Sequence, residues 1–376
     1  FTLDGDGDYF SASVNIWDGK EMKVISKSSK SASIGFLYAI TTLYLGMKPL
    51  EHEFKVMGLA PYAKKNKVEE LYNSKFKELI WLDGLEFKSK FNMVAADGLL
   101  RKIKFERFDN IAGAIQKLVE EKVCEWIKKA IQETEIDNIA LSGGVFMNVK
   151  ANQRILEIPE VKSLFVMPSC GDESLAIGAC IYGYKEYCDK KDILFKVEPI
   201  TNLYLGSEYG NDYIEKLIQN KNLNEKYEIK KVININKEIS KLLVQGKIVA
   251  RCSGKSEWGA RALGNRSILA NASNNETIKI LNETIKDRDF WMPFTPSILD
   301  IFENKYIINP KKIFAPYMCI TFDSTIDAKK DIPASIHPYD ATIRPQIVTK
   351  EYNHDYYEII EEFSKITGIG GILNTS

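Results

Sequence analysis

"IALSGGVFMNVKANQRI", Ile139 to Ile155, decides how the first half of the chain is read. Ile139–Leu141 is a short apolar run, Ser142–Gly143–Gly144 is a turn, and helical spacing follows. The pattern then repeats. "SLFVMPS" (Ser163–Ser169) reads as a strand, "CGDES" (Cys170–Ser174) as a tight turn, and another helix begins. Strand–turn–helix twice in succession predicts an α/β fold with parallel strands and helices packed on the sheet. Ligands of such sheets sit at the carboxyl ends of the strands, where both turns lie. A glycine pair lets the backbone approach a ligand, and the next helix offers free N–H groups to a phosphate. Ser142, Gly143, Gly144 and Asn148 are therefore candidate nucleotide-binding residues. A plain β–α turn without a ligand remains the other reading of a lone glycine pair.

Upstream, "FTLDGDGD" (Phe1–Asp8) reads as a strand end running into an acidic, glycine-rich turn. "YFSASVNIW" alternates apolar and polar residues, and Asp18–Lys20 is a hairpin turn before "EMKVIS". "SIGFLYAITTLYLG" has helical spacing and stops at Gly46. "HEFKVMGLAPYAKK" reads as a loop punctuated by Gly58 and Pro61. Asp109 is placed as the cap of a long helix, with Ile111, Ile115, Leu118, Trp126, Ile127 and Ala130 on its buried face. The pattern resets near residues 190–205, which divides the chain into 1–195 and 196–376.

Three groups of residues carry chemistry. The acidic turns each follow a strand, and Asp4 and Asp172 would share a metal if the two turns face each other. Helix capping by Asp172 is the alternative. After residue 250 the chain is rich in cations in motif-like settings. "ARCSGKSEWGARALGNRSILA" holds Arg251, Lys255, Arg261 and Arg266; "TIKDRDFWMPFTPS" holds Lys286 and Arg288; "HPYDATIRPQIV" holds His337 and Arg344. Arginine suits phosphate because its planar fork donates two parallel bonds. Surface ion pairs are the alternative: Glu257 and Arg261 are four apart, and Asp287 and Asp289 flank Arg288. Yet Arg266 sits in an otherwise uncharged stretch and Arg344 lies between Ile343 and Pro345. Burying several such cations calls for an anion. Two nucleotide signatures fail: Gly254–Lys255–Ser256 lacks the earlier P-loop glycine, where Val249 stands, and "GDGDYF" has Phe10 at its third glycine position.

The bulk numbers limit the class. The chain has 376 residues, room for two domains. Lys plus Arg and Asp plus Glu both number 51, so charge points to neither nucleic acid nor membrane as partner. Six cysteines form no C-x-x-C pair and there are three histidines, so free thiols in a reducing, cytoplasmic compartment are expected. No run of about 18 apolar residues would span a membrane. The start at Phe1, inside an apolar stretch, and the stop at "LNTS" read as a piece of a longer protein.

Seven stretches in order, "HEFKVMGLAPY", "LSGGVFMNVKAN", "CGDESLAIGA", "EWGARALGNRSILA", "DFWMPFTPS", "RPQIV" and "LNTS", carry a resemblance. Together they resemble the O-carbamoyltransferases of the NodU/CmcH type, from Asp4 to Ser376. The resemblance implies an actin/hexokinase-like domain (ASKHA, like the tRNA threonylcarbamoyltransferase) over 1–195, followed by a YrdC-like α/β domain over 196–376 that forms carbamoyl-adenylate. It implies ATP and carbamoyl phosphate as substrates, a hydroxylated small-molecule acceptor, and a divalent metal, iron or magnesium. It is compatible with a homodimer. Carried over by position, Ser142, Gly143, Gly144 and Asn148 match the nucleotide turn, and Asp4 and Asp172 match the acidic metal ligands. Arg251, Arg261, Arg266, Lys286, Arg288, Arg344 and Asn374 match the carbamoyl-phosphate and ATP pocket, and His337 is grouped with them as a catalytic candidate. The family's two metal-binding histidines would lie upstream of "LDGDGD", and His52 does not match them by position. Further residues after "LNTS" would complete the second domain. Ala260 and Ala341 replace the usual Pro and Gly. Two other readings stand beside this one: an actin-fold kinase of a small hydroxylated substrate, which leaves the basic half unexplained, and a nucleotide-binding scaffold without turnover.

Overall fold

The computed structural model describes residues 1–19, 21–90, 93–286 and 288–376, and for 93–97 the backbone alone. β1 (Thr2–Gly7), β2 (Phe10–Trp17) and β3 (Met22–Ser29) form an antiparallel meander. The acidic stretch expected as a turn is strand: Asp4 and Asp6 lie within β1, and the chain reverses at Asp8 and Tyr9, both with positive φ. Such a pair matches the twist of a tight hairpin. The next reversal falls where expected, with the Glu21 N–H donating to Asp18 Oδ1 at 3.0 Å; Lys20 lies outside the described residues. The helix Ile34–Tyr44 starts at Ser33, whose hydroxyl accepts the Phe36 N–H, and is followed by Gly46 at φ 77°. The loop expected at 52–64 is instead a helix, Glu53–Leu59, and a short 3-10 turn, Ala60–Tyr62. Burial of Val56 and Leu59 outweighs the glycine, and Pro61 stands at the start of the turn, where no N–H is needed.

β4 (Ile80–Asp83) and β5 (Glu86–Ser89) form a hairpin docked on β3 through the Phe87 N–H to Ser28 Oγ. The long helix, Phe108–Thr134, buries all six expected apolar positions. Its cap differs from expectation. Arg107 holds the cap position, and Asp109 lies in the first turn, accepting from Asn110 N–H and pairing with Arg107. β6 (Asn138–Leu141) and β7 (Ser163–Val166) are parallel. Ser142 donates its N–H to the Phe1 carbonyl and accepts the Leu3 N–H, both at 3.0 Å, which joins β6 to β1 in parallel. The result is one mixed sheet in the order β3-β2-β1-β6-β7. The parallel pairing expected from the repeated turns holds for β6 and β7, and β1 joins them through the bridge to Ser142.

The second half has its own five-stranded sheet, built from β8 (Val249–Cys252), β9 (Arg266–Ala270) and β10 (Thr295–Leu299) with two later strands. β11 (Ile307–Ile308), β12 (Phe322–Ser324) and β13 (Thr342–Ile343) make a small separate sheet. β14 (Gln346–Val348) and β15 (Gly371–Thr375) complete the larger one, in the order β14-β10-β15-β9-β8. Thr295 opens β10 opposite Asn374 near the end of β15, and Arg266 opens β9 opposite Cys252 at the end of β8. One end of this sheet therefore gathers residues 252, 266, 295 and 374, with Arg344 just before β14. The helices Ile235–Val244 and His354–Thr367 bury Leu243, Tyr356, Ile360 and Phe363 against it.

The helix that follows the glycine pair, Val149–Leu156, ties the halves together. Asn152 donates to the Cys319 carbonyl at 2.8 Å, Thr321 donates to Gln153 at 2.8 Å, and Lys150 pairs with Asp340. No described helix is long and apolar enough to cross a membrane.

Candidate active site

The end of the second sheet carries a cationic cleft lined by Arg261, Arg288, Arg344, Thr295, Asn374 and Thr375, among others. Its shape starts with Glu257. The carboxylate Oε1 accepts three backbone N–H groups, from Leu263 (2.7 Å), Asn265 (3.1 Å) and Arg266 (3.1 Å), and folds the "GARALGN" loop around itself. The i,i+4 ion pair considered for Glu257 and Arg261 is thus replaced, and Arg261 is left for the cleft. Asp289 likewise pairs with Lys55 at 2.9 Å, not with Arg288; Asp287 lies outside the described residues.

Among the described residues no carboxylate pairs with Arg261, Arg288 or Arg344. Burial pushes the Arg344 guanidinium well below the usual arginine range, and Arg261 and Arg288 push it further. Burial and Arg261 act on Arg288 in the same direction, and burial lowers Arg261 itself. Arg288 also lies over the Phe294 ring at 5.3 Å. Half-buried cations that repel one another call for an anion, so a phosphate-sized group fits this cleft. Asn374 adds a different donor set. Its Nδ2 donates to the carbonyl of Ala262, which can only accept, and to Ser297 and Gln346. That fixes the orientation of the amide and leaves the buried Oδ1 with no partner among the described residues. Lys286 sits at the rim, held by the Ser376 carbonyl, its amine pushed down by burial and Arg288.

Three of the expected basic residues lie elsewhere. Arg251 is buried and donates to Gly264 and Asn265 at 2.7 and 2.8 Å. Arg266 donates to four backbone carbonyls, of Ser253, Asn265, Ser207 and Gly254, at 2.9–3.1 Å. Both guanidinium groups brace the loop and neither lines the arginine cleft. His337 is buried between the halves, with Nε2 at 3.0 Å from the Gly58 carbonyl and Nδ1 at 3.3 Å from the Tyr339 N–H. A carbonyl only accepts and an amide only donates, so the ring is neutral with the proton on Nε2. Thr295, inside "DFWMPFTPS", lines the cleft but was not singled out in the sequence; its place opposite Asn374 depends on strand pairing.

The glycine turn is also different in detail. Gly143 has φ 103°, and a Cβ there would lie 2.3 Å from the Leu3 carbonyl oxygen. The Gly144 N–H, a candidate phosphate donor, donates to Asp4 Oδ2 at 2.8 Å, and the Gly5 N–H donates to Asp4 Oδ1 at 2.7 Å. Asn148 caps the helix through the Ala151 N–H and exchanges bonds with Gln116, which ties it into the packing. Asp172 is exposed on a 3-10 turn, and no capping bond from its side chain is seen at the following helix. Among the described residues the one convergence of three His, Cys, Asp or Glu ligand atoms is His354, Asp355 and Glu358, away in sequence from both aspartates. Asp4 is committed to two amides and gains no third ligand with Asp172, so the residues present do not compose a metal centre.

The two turns nevertheless sit beside the cationic cleft. The Gly143 N–H donates to the Cys170 carbonyl at 3.1 Å, and the Cys319 thiol donates to the Pro168 carbonyl at 3.4 Å. A Cβ on Gly259, two residues before Arg261, would lie 3.2 Å from Ser169 Cβ. The Cys170 thiol is pushed well up by burial, as is that of Cys319, to about 11, although Arg261 draws both down. Both are protonated at neutral pH and unsuited to nucleophilic attack.

The interface chemistry predicts an acid response. Burial holds His337 below the ordinary histidine value of about 6.5. Burial alone would raise the Asp340 carboxyl, but the Lys150 charge and hydrogen bond, with the Thr342 N–H, outweigh it and hold it low. Both groups bind protons more readily unfolded than folded, so both destabilise the fold as pH falls. For His337 the loss begins near pH 6.5, with a limiting slope of about 1.4 kcal/mol per pH unit. Urea unfolding from pH 7.5 to 5.5 is expected to show falling stability, and His337→Gln a shallower fall. Parallel curves would remove His337 as the cause.

With this geometry in place, the comparisons give the class. Residues 1–181 match the family described as Carbamoyltransferase N-terminus, and residues 240–376 match Carbamoyltransferase C-terminus. Two Methanocaldococcus jannaschii proteins, uncharacterized proteins MJ1051 and MJ1058, are 34% and 32% identical over all of this chain, which covers 71% and 64% of them. Nodulation protein NolNO of Sinorhizobium fredii is 30% identical over all of this chain, which covers 55% of it. The chain belongs to the carbamoyltransferase family. It spans about two thirds of the length of the M. jannaschii relatives.

Proposed function

We propose that the protein is an ATP-dependent O-carbamoyltransferase that makes carbamoyl-adenylate from carbamoyl phosphate and ATP and passes the carbamoyl group to a hydroxyl of a sugar or secondary metabolite. The observation that carries this reading is the cleft of Arg261, Arg288 and Arg344, which has no carboxylate among the described residues to neutralise it. Family membership supplies the carbamoyl chemistry. A mixed sheet in which Asp4 of β1 accepts from the Gly144 turn supports the actin/hexokinase-like reading of 1–195. A second sheet with its own helices supports the YrdC-like reading of 196–376.

The chemistry divides into three balanced steps. Carbamoyl phosphate and water give carbamate and phosphate. A carbamate oxygen then bonds to the α-phosphorus of ATP as the bond to the pyrophosphate oxygen breaks, and pyrophosphate leaves. The acceptor hydroxyl finally attacks the carbamoyl carbon, AMP leaves, and the hydroxyl proton passes to solvent. Arg261, Arg288 and Arg344 bind the phosphate charge, which is what phosphoryl and adenylyl transfer need more than a protein nucleophile. The unpartnered Oδ1 of Asn374 accepts an N–H of the carbamoyl group, which separates carbamoyl phosphate from inorganic phosphate. The closeness of the cleft to the Cys170 turn gives the adenylate a short path to the first half. Asp4 and Asp172 do not fit a metal by themselves, and no step is assigned to one.

Calorimetric titration with carbamoyl phosphate tests the cleft. Arg261→Met is expected to weaken binding at least about 10-fold, the worth of one charge-assisted bond, while Arg266→Met is expected to lower stability first. Equal affinity in wild type and Arg261→Met would overturn the assignment.

A further inference from the structure

A second cleft, of about 400 Å³, lies between the helix Asn211–Asn220 and the end of β8. Its walls are Tyr209, Tyr213, Ile214 and Leu217 on one side and the Cys252–Gly254 backbone with Arg266 on the other. The rings of Tyr209 and Tyr213 stack at 5.1 Å and 28°, and each tyrosine is 52% exposed. Arg266 is committed to four carbonyls, two of them from Ser253 and Gly254, so the floor of the cleft is rigid. The size suits a small ligand, for which pockets run ~300–1,000 Å³.

The position decides which ligand. Cys252 ends β8 and Arg266 opens β9, at the same sheet end where Thr295 and Asn374 line the arginine cleft. From β8 to β15 is two strand spacings and to β10 three, roughly 10–14 Å at about 4.8 Å per strand. That is the reach of a nucleoside triphosphate from base to outer phosphates. The 253–265 connection runs between the two clefts. Near its start it carries Lys255, which is exposed and pairs with no carboxylate among the described residues, and further on Arg261. Aromatic walls, a free cation and an arginine cluster thus follow one another along one sheet end. Tyr209 and Tyr213 lie outside both family-matched segments, 1–181 and 240–376.

We infer that the Tyr209–Tyr213 cleft holds the purine base of ATP, stacked against a tyrosine face, while its phosphates lie on Lys255 and the arginine cleft. This rests on the proposal that the second half binds ATP. Stacking on an aromatic ring tolerates any base, so GTP is expected to bind comparably.

The test compares ATP with inorganic tripolyphosphate by calorimetry on the full-length protein. Tyr213→Ala is expected to weaken ATP roughly 5- to 100-fold and to leave tripolyphosphate unchanged, and Tyr213→Phe is expected to bind ATP as wild type does. Arg344→Met is expected to weaken both ligands. Tripolyphosphate binding with ATP affinity unmoved by Tyr213→Ala would overturn the base site and spare the arginine cleft. Failure of wild type to bind either ligand would overturn both. Tyr213 is exposed, so its replacement leaves the fold intact, and unchanged thermal unfolding of the variant checks this. Tyrosines already shielded by another segment or a second copy in the ligand-free full-length protein, read by quenching of tyrosine fluorescence and unaffected by ATP, would also overturn it.

Discussion

Replacing Arg344 with methionine is expected to weaken carbamoyl phosphate binding roughly 10²–10⁴-fold and, at the same time, to stabilise the ligand-free protein. The first effect follows from losing about two charge-assisted bonds, each worth ~1.5–3 kcal/mol. The second follows from the site itself. Arg344 is half-buried beside Arg261 and Arg288, and its guanidinium is pushed well below its usual range by burial and by both neighbours. Methionine keeps much of the volume and removes a desolvated charge without stranding a partner, since no carboxylate among the described residues pairs with it. A gain of about 1 kcal/mol or more is expected in urea unfolding without ligand. An arginine serving the fold gives the opposite signature, so a destabilised variant with unchanged binding would contradict the assignment. Arg266→Met supplies that contrast, because its four carbonyl bonds are lost.

Gly143→Ala is expected to cost about 3–5 kcal/mol, the sum of backbone strain and steric displacement. At φ 103° a side chain is disfavoured, and the new Cβ would lie 2.3 Å from the Leu3 carbonyl oxygen. That oxygen belongs to β1 at its junction with β6, so the overlap cannot be relieved by one side chain turning away. Gly144→Ala is the control. Its Cβ would find the Asp4 carboxylate nearest, at 3.2 Å, a side chain that can give by a few tenths of an ångström. If both substitutions cost the same in urea unfolding, the close approach of the two strands at Gly143 is not what the glycine serves.

Local signals carried much of the fold. The β2–β3 reversal, the helix from Ser33 to Gly46 and the strand–turn–helix units around Gly143 and Cys170 rest on neighbouring residues and were legible. Pairings across large separations were not. The bridge of β1 to Ser142 joins residues some 140 apart, and no periodicity reports it. The 52–64 segment misled because Gly58 and Pro61 are local breakers, whereas burial of Val56 and Leu59 depends on the whole core. The site shows the same division. Motif context marked a basic cluster, but one residue type serves two purposes there. Arg251 and Arg266 answer backbone carbonyls, while Arg261, Arg288 and Arg344 answer nothing within the described protein. Only the path of the loop around Glu257 separates them. Asn148 reads as a ligand residue yet caps a helix, and the bonds of Asn152 and Gln153 that join the two halves have no local signal.

Pyrophosphate release by the full-length protein, with ATP, with and without carbamoyl phosphate and with no acceptor present, tests the central claim most directly. Pyrophosphate is expected only when both substrates are present, and is expected to be lost in Arg344→Met. Absence of pyrophosphate, with ADP formed only after a hydroxylated substrate is added, would contradict that claim and mark the protein as a kinase.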